Sequence, residues 1–354
     1  MKTILVTGGC GFIGSNFIHK LLQTNKYLVI NVDKLNYCAN IKNVTRKYNF
    51  DIHQSEEMDL KNYVFYKTDI NNADFILNIL KTHQVEIVYH FAAQTHVDQS
   101  FGNSTQFIID NVLGTTNLLE CCREYGQLEK FIHVSTDEVY GEIVTNQENI
   151  ILQYGFYDPT NPYAASKASA ELVAQSYRHS YKIPIIITRS NNVYGPHQYW
   201  EKITGKFIYN LYHDRKCPIY GNGQALRKYL YVSDACDAYQ LILEKGLIGE
   251  IYEIGSKTEL NTLDIFRELI RKIKPEEINQ LEKWLNFVED RQFHDQRYLV
   301  NSESLEKLGW KAQTSFEQGL NKTIEWYTNY AIPQNHWNYN DDVTMGKIGE
   351  QISP

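Results

Sequence analysis

The run Gly8-Gly9-Cys10-Gly11-Phe12-Ile13-Gly14 restricts what this chain can fold into more than any other feature of its 354 residues. It follows the apolar stretch Thr3–Thr7, which reads as a buried strand, and opens a stretch with helical spacing, Gly14–Gln23. It satisfies both GxxGxxG and GxGxxG. Glycine is needed at such a turn because backbone N–H groups must come close to a pyrophosphate at a helix N-terminus. Asp33 ends the next apolar run, 19 residues after Gly14. A carboxylate there accepts hydrogen bonds from a ribose and repels a 2′-phosphate. Strand, glycine turn, helix and acid together predict a dinucleotide-binding domain that takes NAD in preference to NADP.

The rest of the first half repeats the alternation. Strands are expected at Leu28–Val32, Val64–Lys67, Ile87–Phe91, Phe131–Val134 and Pro184–Arg189, and helices at Ala73–Thr82, Asn111–Tyr125 and Tyr163–Tyr181. Valine and isoleucine without polar alternation fit strands covered on both faces. The fold class that follows is α/β, a Rossmann-type doubly wound parallel sheet. After Arg189 loop signals multiply, around a helical stretch near Lys206–His213. Val232–Glu244 and Glu250–Ile254 read as a helix and a strand that rejoin the sheet. The expected organisation is a dinucleotide domain over 1–190 with 228–255 returning to it, a smaller α/β substrate lobe from 191–227 and 256–333, and a loosely packed tail over 334–354.

Composition narrows the function classes. The net charge is −7, and no block of like charges suggests a nucleic-acid tail or a polybasic membrane patch. No apolar run approaches the roughly 18 residues of a membrane span, and the N-terminal run is too short for a signal peptide. The six cysteines form no CxxC pair and the histidines no HExxH, so neither a metal site nor a disulfide framework is expected. A reducing, cytoplasmic setting fits best.

Two further motifs carry chemistry. In Tyr163-Ala-Ala-Ser-Lys167 the i,i+4 spacing puts a phenol and an ammonium on one helix face, where the ammonium is expected to lower the phenol pKa. Ser135-Thr136-Asp137-Glu138 follows the strand Phe131–Val134, with two adjacent acids at the carboxyl end of a parallel strand. Carboxyls in different surroundings can divide acid and base work. Asp69-Ile70 follows another strand, placed to contact an adenine or to cap the next helix.

Together these motifs make the chain, from Met1 to about Tyr327, resemble the extended short-chain dehydrogenase/reductase superfamily. The Thr-Asp-Glu run resembles its nucleotide-sugar 4,6-dehydratases in particular. The resemblance extends to His90-Phe-Ala-Ala-Gln-Thr-His96, a cofactor-lining loop, and to Asn191-Asn-Val-Tyr-Gly-Pro196 with Glu201 and Lys202 at the sugar. It implies that NAD is held by Gly8, Gly11, Phe12, Ile13, Gly14, Asp33, Lys34, Asn36, Asp69, Ile70, Phe91, Ala92, Ala93, Thr95, Tyr163, Lys167 and Val193. A nucleoside-diphosphate glucose would lie along Thr95, Thr136, Asn192, Glu201, Lys202, Pro218, Tyr220, Arg227, Asn261, Arg291 and His294, with Arg227 on the diphosphate.

The resemblance also implies the catalytic roles. Tyr163, helped by Lys167 and Thr136, takes the C4 hydroxyl proton, Glu138 takes the C5 proton, and protonated Asp137 gives a proton to the departing C6 hydroxyl. Gln94-Thr95, Asn191-Asn-Val-Tyr194 and Gln296-Arg-Tyr298 look more like the dehydratase part of plant-type UDP-rhamnose synthases than like bacterial dTDP-glucose dehydratases. That favours UDP-glucose, with dTDP-glucose as the alternative. A 4-epimerase and a non-enzymatic NAD-binding protein stay open as other classes. A homodimer pairing the helices 105–125 and 163–181 is implied by resemblance.

Overall fold

A computed structural model describes residues 1–142, 157–290, 293–298 and 300–337. In chain order its strands begin with β1 (Lys2–Thr7), β2 (Tyr27–Asp33), β3 (Arg46–Asn49), β4 (Gln54–Glu57), β5 (Tyr63–Lys67), β6 (Ile87–His90) and β7 (Lys130–Thr136). The second half adds β8 (Ile185–Ser190), β9 (Asn192–Tyr194), β10 (Cys217–Tyr220), β11 (Leu226–Tyr231), β12 (Ile251–Ile254), β13 (Glu259–Asn261) and β14 (Leu285–Val288). Seven of them form the expected parallel sheet, in the order β12-β8-β7-β6-β1-β2-β5. The helices Phe12–Thr24 and Val232–Lys245 cover one face. Ala73–His83, Gly114–Tyr125 and Pro162–Tyr181 cover the other. Shielding on both sides explains why Ile4, Leu5, Val6, Val29, Ile30 and Val32 are all buried.

The strand order reverses between β1 and β6, which opens a crevice at the carboxyl ends of the strands. Gly8 sits there at φ +69°, and a Cβ on it would lie 2.6 Å from the backbone nitrogen of Ala92, in the loop after β6. A Cβ on Gly14 would lie 2.5 Å from the carbonyl oxygen of Gly8. The glycine requirement read from the sequence is therefore steric at both ends of the turn.

The smaller lobe holds a three-stranded sheet, β13-β11-β9, and the parallel pair β10-β14. Residues 228–231, expected to return to the large sheet, instead lie in β11 and pair with β9 and β13. The return begins at Val232, where the long helix starts. The helix expected at Asn111–Tyr125 is preceded by a π-helical stretch, Ile108–Leu113, that takes in its first residues. The tail expected from 334 onwards is not loose throughout, although Gln334 and Asn335 are exposed. His336 and Trp337 are buried, whereas 338–354 lie outside the described residues. No described helix is long and apolar enough to cross a membrane.

Candidate active site

One cavity runs from the glycine turn across the sheet to the small lobe, lined by residues as far apart as Gly8 and Tyr298. The helix Phe12–Thr24 points its N-terminus at one end of it, with Gly11 as a cap that offers no side-chain acceptor. Its first N–H groups are thus left for an anion. Asp33 is buried; its carboxylate accepts from the N–H of Cys10 at 2.9 Å and from that of Leu35 at 2.8 Å, which pins the turn to the end of β2. Burial holds this carboxyl above its ordinary pKa, against those two bonds and Lys34. Lys34 itself is engaged by Asp110 at 2.8 Å and Asp69 at 3.3 Å. Asp69 does not cap the next helix. It accepts from Asn71, and Asn72 is the cap.

Thr136, Glu138, Tyr163 and Lys167 line the cavity, while Asp137, expected beside them, is absent from its lining. β7 ends at Thr136, whose hydroxyl accepts the N–H of Glu138 at 3.3 Å and so caps the 3₁₀ turn Asp137–Tyr140. The same hydroxyl donates to Asp137 Oδ1 at 3.3 Å, and Asn191 Nδ2 donates to Oδ2 at 3.1 Å. Asp137 is buried, whereas Glu138 is partly open and faces the cavity. Burial, with the neighbouring Glu138 adding to it, pushes the Asp137 carboxyl up to about 7. Burial raises Glu138 too, opposed by the charges of Lys202 and Arg227 and by the Asn161 amide at 3.4 Å.

Asn161 also starts the helix that carries the tyrosine and lysine. Its side chain accepts from Ala164 N at 2.9 Å and Pro162 takes the first helical position. Tyr163 and Lys167 lie buried in the cavity wall, with Lys167 Nζ donating to the carbonyl of Val134 at 2.7 Å. The expectation that the ammonium lowers the phenol pKa is not met by the protein alone. Burial, with the negative charge of Glu138 and Asp137, pushes the phenol up, and only a hydrogen bond with Thr136 opposes the rise. Burial lowers Lys167 to about 8.

The structure brings nearly all the expected substrate residues to this cavity. Thr95, Asn192, Glu201, Lys202, Pro218, Tyr220, Arg227 and His294 line it. The Arg227 guanidinium is held by the carbonyls of Leu226 and Asp295, both at 2.7 Å, and stacks 4.6 Å over the Tyr298 ring. Lys202 donates to the Thr95 carbonyl at 2.6 Å, and burial pushes Glu201 up to about 7. Asn261 is different: it is absent from the lining, and its side chain caps the helix Thr262–Ile273 in a reciprocal box with Asp264. Arg291 lies outside the described residues.

Sequence reading missed Asn161, Asn191 and Asn111 as site residues. Asn161 was findable, since asparagine followed by proline marks a helix start. Asn111 accepts from Gln94 N at 2.7 Å and donates to Ser166 at 2.8 Å, fixing the 92–95 loop to two helices. No local pattern announces such a contact. Among the described residues no cluster of His, Cys, Asp and Glu could hold a metal ion.

The profile of the family described as "GDP-mannose 4,6 dehydratase" matches residues 5–323. The chain is 44% identical to the dTDP-D-glucose 4,6-dehydratase of Bos taurus, over 92% of this chain and 88% of that protein. It is 42% identical to a trifunctional UDP-glucose 4,6-dehydratase/3,5-epimerase/reductase of Arabidopsis thaliana, over 92% of this chain but only 47% of that longer protein. Among solved structures, the dTDP-glucose 4,6-dehydratase of Streptomyces venezuelae with NAD bound superposes with a TM-score of 0.82 at 35% identity, covering 93% of this chain and 98% of that one.

The raised Asp137 sets a test with a definite sign. Its folded pKa of about 7 lies above the ordinary value, roughly 3.9 in an unfolded chain. The stability linked to its proton is therefore fully present below the unfolded pKa and lost as pH rises through the folded one. Asp137→Asn removes that loss. Its urea midpoint, relative to that of the unsubstituted protein, should rise between pH 5 and pH 8. A gap that stays constant would show that Asp137 is ionised throughout.

Proposed function

The chain belongs to the GDP-mannose 4,6 dehydratase family, and we propose that it converts UDP-glucose to UDP-4-keto-6-deoxyglucose and water, a reaction suited to UDP-rhamnose formation. It is an NAD-dependent nucleotide-sugar 4,6-dehydratase, a hydro-lyase. The observation that carries the reading is Glu138, which shares one cavity with Thr136, Tyr163 and Lys167, beside the buried Asp137, whose carboxyl is pushed up to about 7.

The residues present fit NAD. The space left by Gly8 and Gly14, together with the uncapped helix start, suits a pyrophosphate. Asp33 suits an adenosine ribose, and with Lys34 engaged by Asp69 and Asp110 a 2′-phosphate would meet a carboxylate. Gly11, Phe12, Ile13, Asn36, Asp69, Ile70, Phe91, Ala92, Ala93, Thr95 and Val193 line the same cavity. When bound, NAD would supply the acceptor for the C4 hydride and the source of the hydride gained at C6, so that the sugar undergoes no net oxidation.

The chain's own groups handle the protons. Tyr163, with Thr136 and Lys167, takes the C4 hydroxyl proton. The resulting 4-ketone acidifies C5–H, which Glu138 removes. Asp137 donates its proton to the C6 hydroxyl, which leaves as water, and Glu138 returns its proton to C5. Arg227 holds the diphosphate with charge-assisted bonds, and His294, Pro218 and Tyr220 lie towards the base. Asn192, Glu201 and Lys202 face the sugar.

Gln94, Thr95 and the Asn191–Tyr194 run support uracil over thymine. The 44% identity with a dTDP-D-glucose enzyme favours the second reading. The two bases differ by one methyl, worth only roughly 1–3 kcal/mol in a pocket.

Ile108, Ile109, Leu113 and Leu172, between 38% and 50% exposed, form an apolar face on the helices at 108–125 and 162–181. That face supports a homodimer. The absence of disulfides among six free cysteines supports action in the reducing cytoplasm.

Incubation with UDP-glucose and dTDP-glucose in parallel, read by mass spectrometry, tests the activity. The expected product is one water lighter than UDP-glucose, formed with the higher kcat/KM on that substrate. An isobaric product would instead mean epimerisation, and preference for dTDP-glucose would reverse the base assignment. Light scattering should show a dimer that Leu172→Glu converts to monomer. A monomeric unsubstituted protein would remove the dimer.

A further inference from the structure

We propose that residues 327–337 form a strap across the outside of the cavity, with Trp337 a positioning residue for Glu201, which lines the cavity and accepts a hydrogen bond from Tyr37. The proposal rests on the reading above of Glu201 as a sugar-facing residue. The strap follows the helix Phe316–Trp326 and lies beyond residue 323, where the match to the family ends.

One edge of the strap holds the substrate loop. The Tyr327 hydroxyl donates to the carbonyl of Gln198. Gly205 has no room for a side chain, since a Cβ would fall 2.4 Å from that same hydroxyl oxygen. Further along, the buried Trp337 ring packs edge to face on Tyr199, with centroids 5.3 Å apart. Tyr199 in turn meets Tyr37 edge to face at 5.4 Å, and the Tyr37 hydroxyl donates to Glu201 Oε1 at 3.1 Å. Three rings in series thus carry the position of Trp337 to a carboxylate in the cavity.

The other edge holds the glycine turn. Asn40 Nδ2 donates to the carbonyl of His336, and His336 Nε2 bonds Asn43 Oδ1 at 2.7 Å. Asn43 Nδ2 and Asn40 N then donate to the carbonyl of Cys10, at 2.9 and 3.0 Å, inside the glycine turn. Outside this junction the β3–β4 hairpin is tied to the same C-terminal segment. Tyr48 packs on Tyr330 and His53 bonds Glu325 at 2.6 Å. The strap therefore joins the dinucleotide side to the sugar side behind the cavity. Without the Trp337 ring, Tyr199 loses a wall and the Tyr37 hydroxyl is free to leave Glu201.

Trp337→Ala is the test, read in two ways. For turnover of UDP-glucose, kcat/KM should fall roughly ten- to a hundredfold, the usual cost of a misplaced contact remote from the chemistry. The fall should sit in KM, because it is binding of the sugar that is disturbed. Trp337→Phe, which keeps an aromatic edge, should restore most of it, and a chain ending at Trp337 should behave as the full one.

The second readout needs no turnover. Cys38 follows Tyr37, lines the cavity and is partly buried, while the other five cysteines are fully buried. Loosening the strap should speed alkylation of Cys38 by iodoacetamide several-fold, with the site located by peptide mass. If the alanine variant does not fold, Trp337→Leu keeps the apolar volume without the ring and should give the same two changes. A lowered melting temperature with unchanged KM and unchanged Cys38 labelling would overturn the proposal. Failure of the unsubstituted protein to turn over either sugar nucleotide would count against the functional reading alone, since the labelling still reports on the strap.

Discussion

Setting a buried carboxyl, Asp137, next to a second one that opens to the cavity, Glu138, at the end of one parallel strand is the constraint around which this site is organised. Water is largely withheld from Asp137, and two ionised carboxylates side by side repel one another in a medium of low polarity. Burial and the neighbouring Glu138 push the Asp137 carboxyl up to about 7, and both groups receive donors, Asn191 and Thr136 on one, Asn161 on the other. Each donor comes from a different element, so the pair depends on how β7, β8 and the helix Pro162–Tyr181 meet. A site built this way holds an acid and a base ready at the same pH.

The turn that carries the pair is anchored from behind. Tyr140, at its far end, hydrogen-bonds Arg189 and Glu253, and Arg189 forms a salt bridge with Glu171 in which both side chains are almost wholly buried. The guanidinium also donates to the Tyr157 hydroxyl at 2.9 Å. Such a cluster adds little net stability over an apolar core, but removing one partner strands a charge and costs several kcal/mol. Here it fixes the direction of the turn that holds Asp137 and Glu138. Glu171 lies one helical turn beyond Lys167, so the same cluster borders the lysine that supports Tyr163.

Much of this was legible in the sequence, for reasons that differ by element. The glycine turn could be read because a backbone packed 2.6 Å from where a Cβ would stand leaves no other residue type. The large sheet could be read because strands covered on both faces are apolar throughout. The small lobe could not: β9 and β13 have three residues each, too few for any periodicity, and they pair with β11, tens of residues distant from β9. The latter part of β11, residues 228–231, therefore reads as part of the segment returning to the large sheet. Asn261 had the right neighbourhood and a different task, capping a helix. For Tyr163 the spacing to Lys167 suggests a lowered phenol pKa, but burial, with Glu138 and Asp137 alongside, raises it, an effect that only three-dimensional placement reveals.

The claim on which all of this turns is that Glu138 is the base at C5. Glu138→Gln keeps the size of the side chain and removes the proton acceptor. The measurement is product formation from UDP-glucose in D₂O by the unsubstituted protein and by Glu138→Gln, with the label at C5 located by NMR. A carboxylate open to the cavity exchanges its proton with solvent, so the unsubstituted protein should release product bearing deuterium at C5. The variant should form that product more slowly by roughly 10²–10⁴-fold, the usual worth of a general base. Turnover by Glu138→Gln at the rate of the unsubstituted protein would contradict the account.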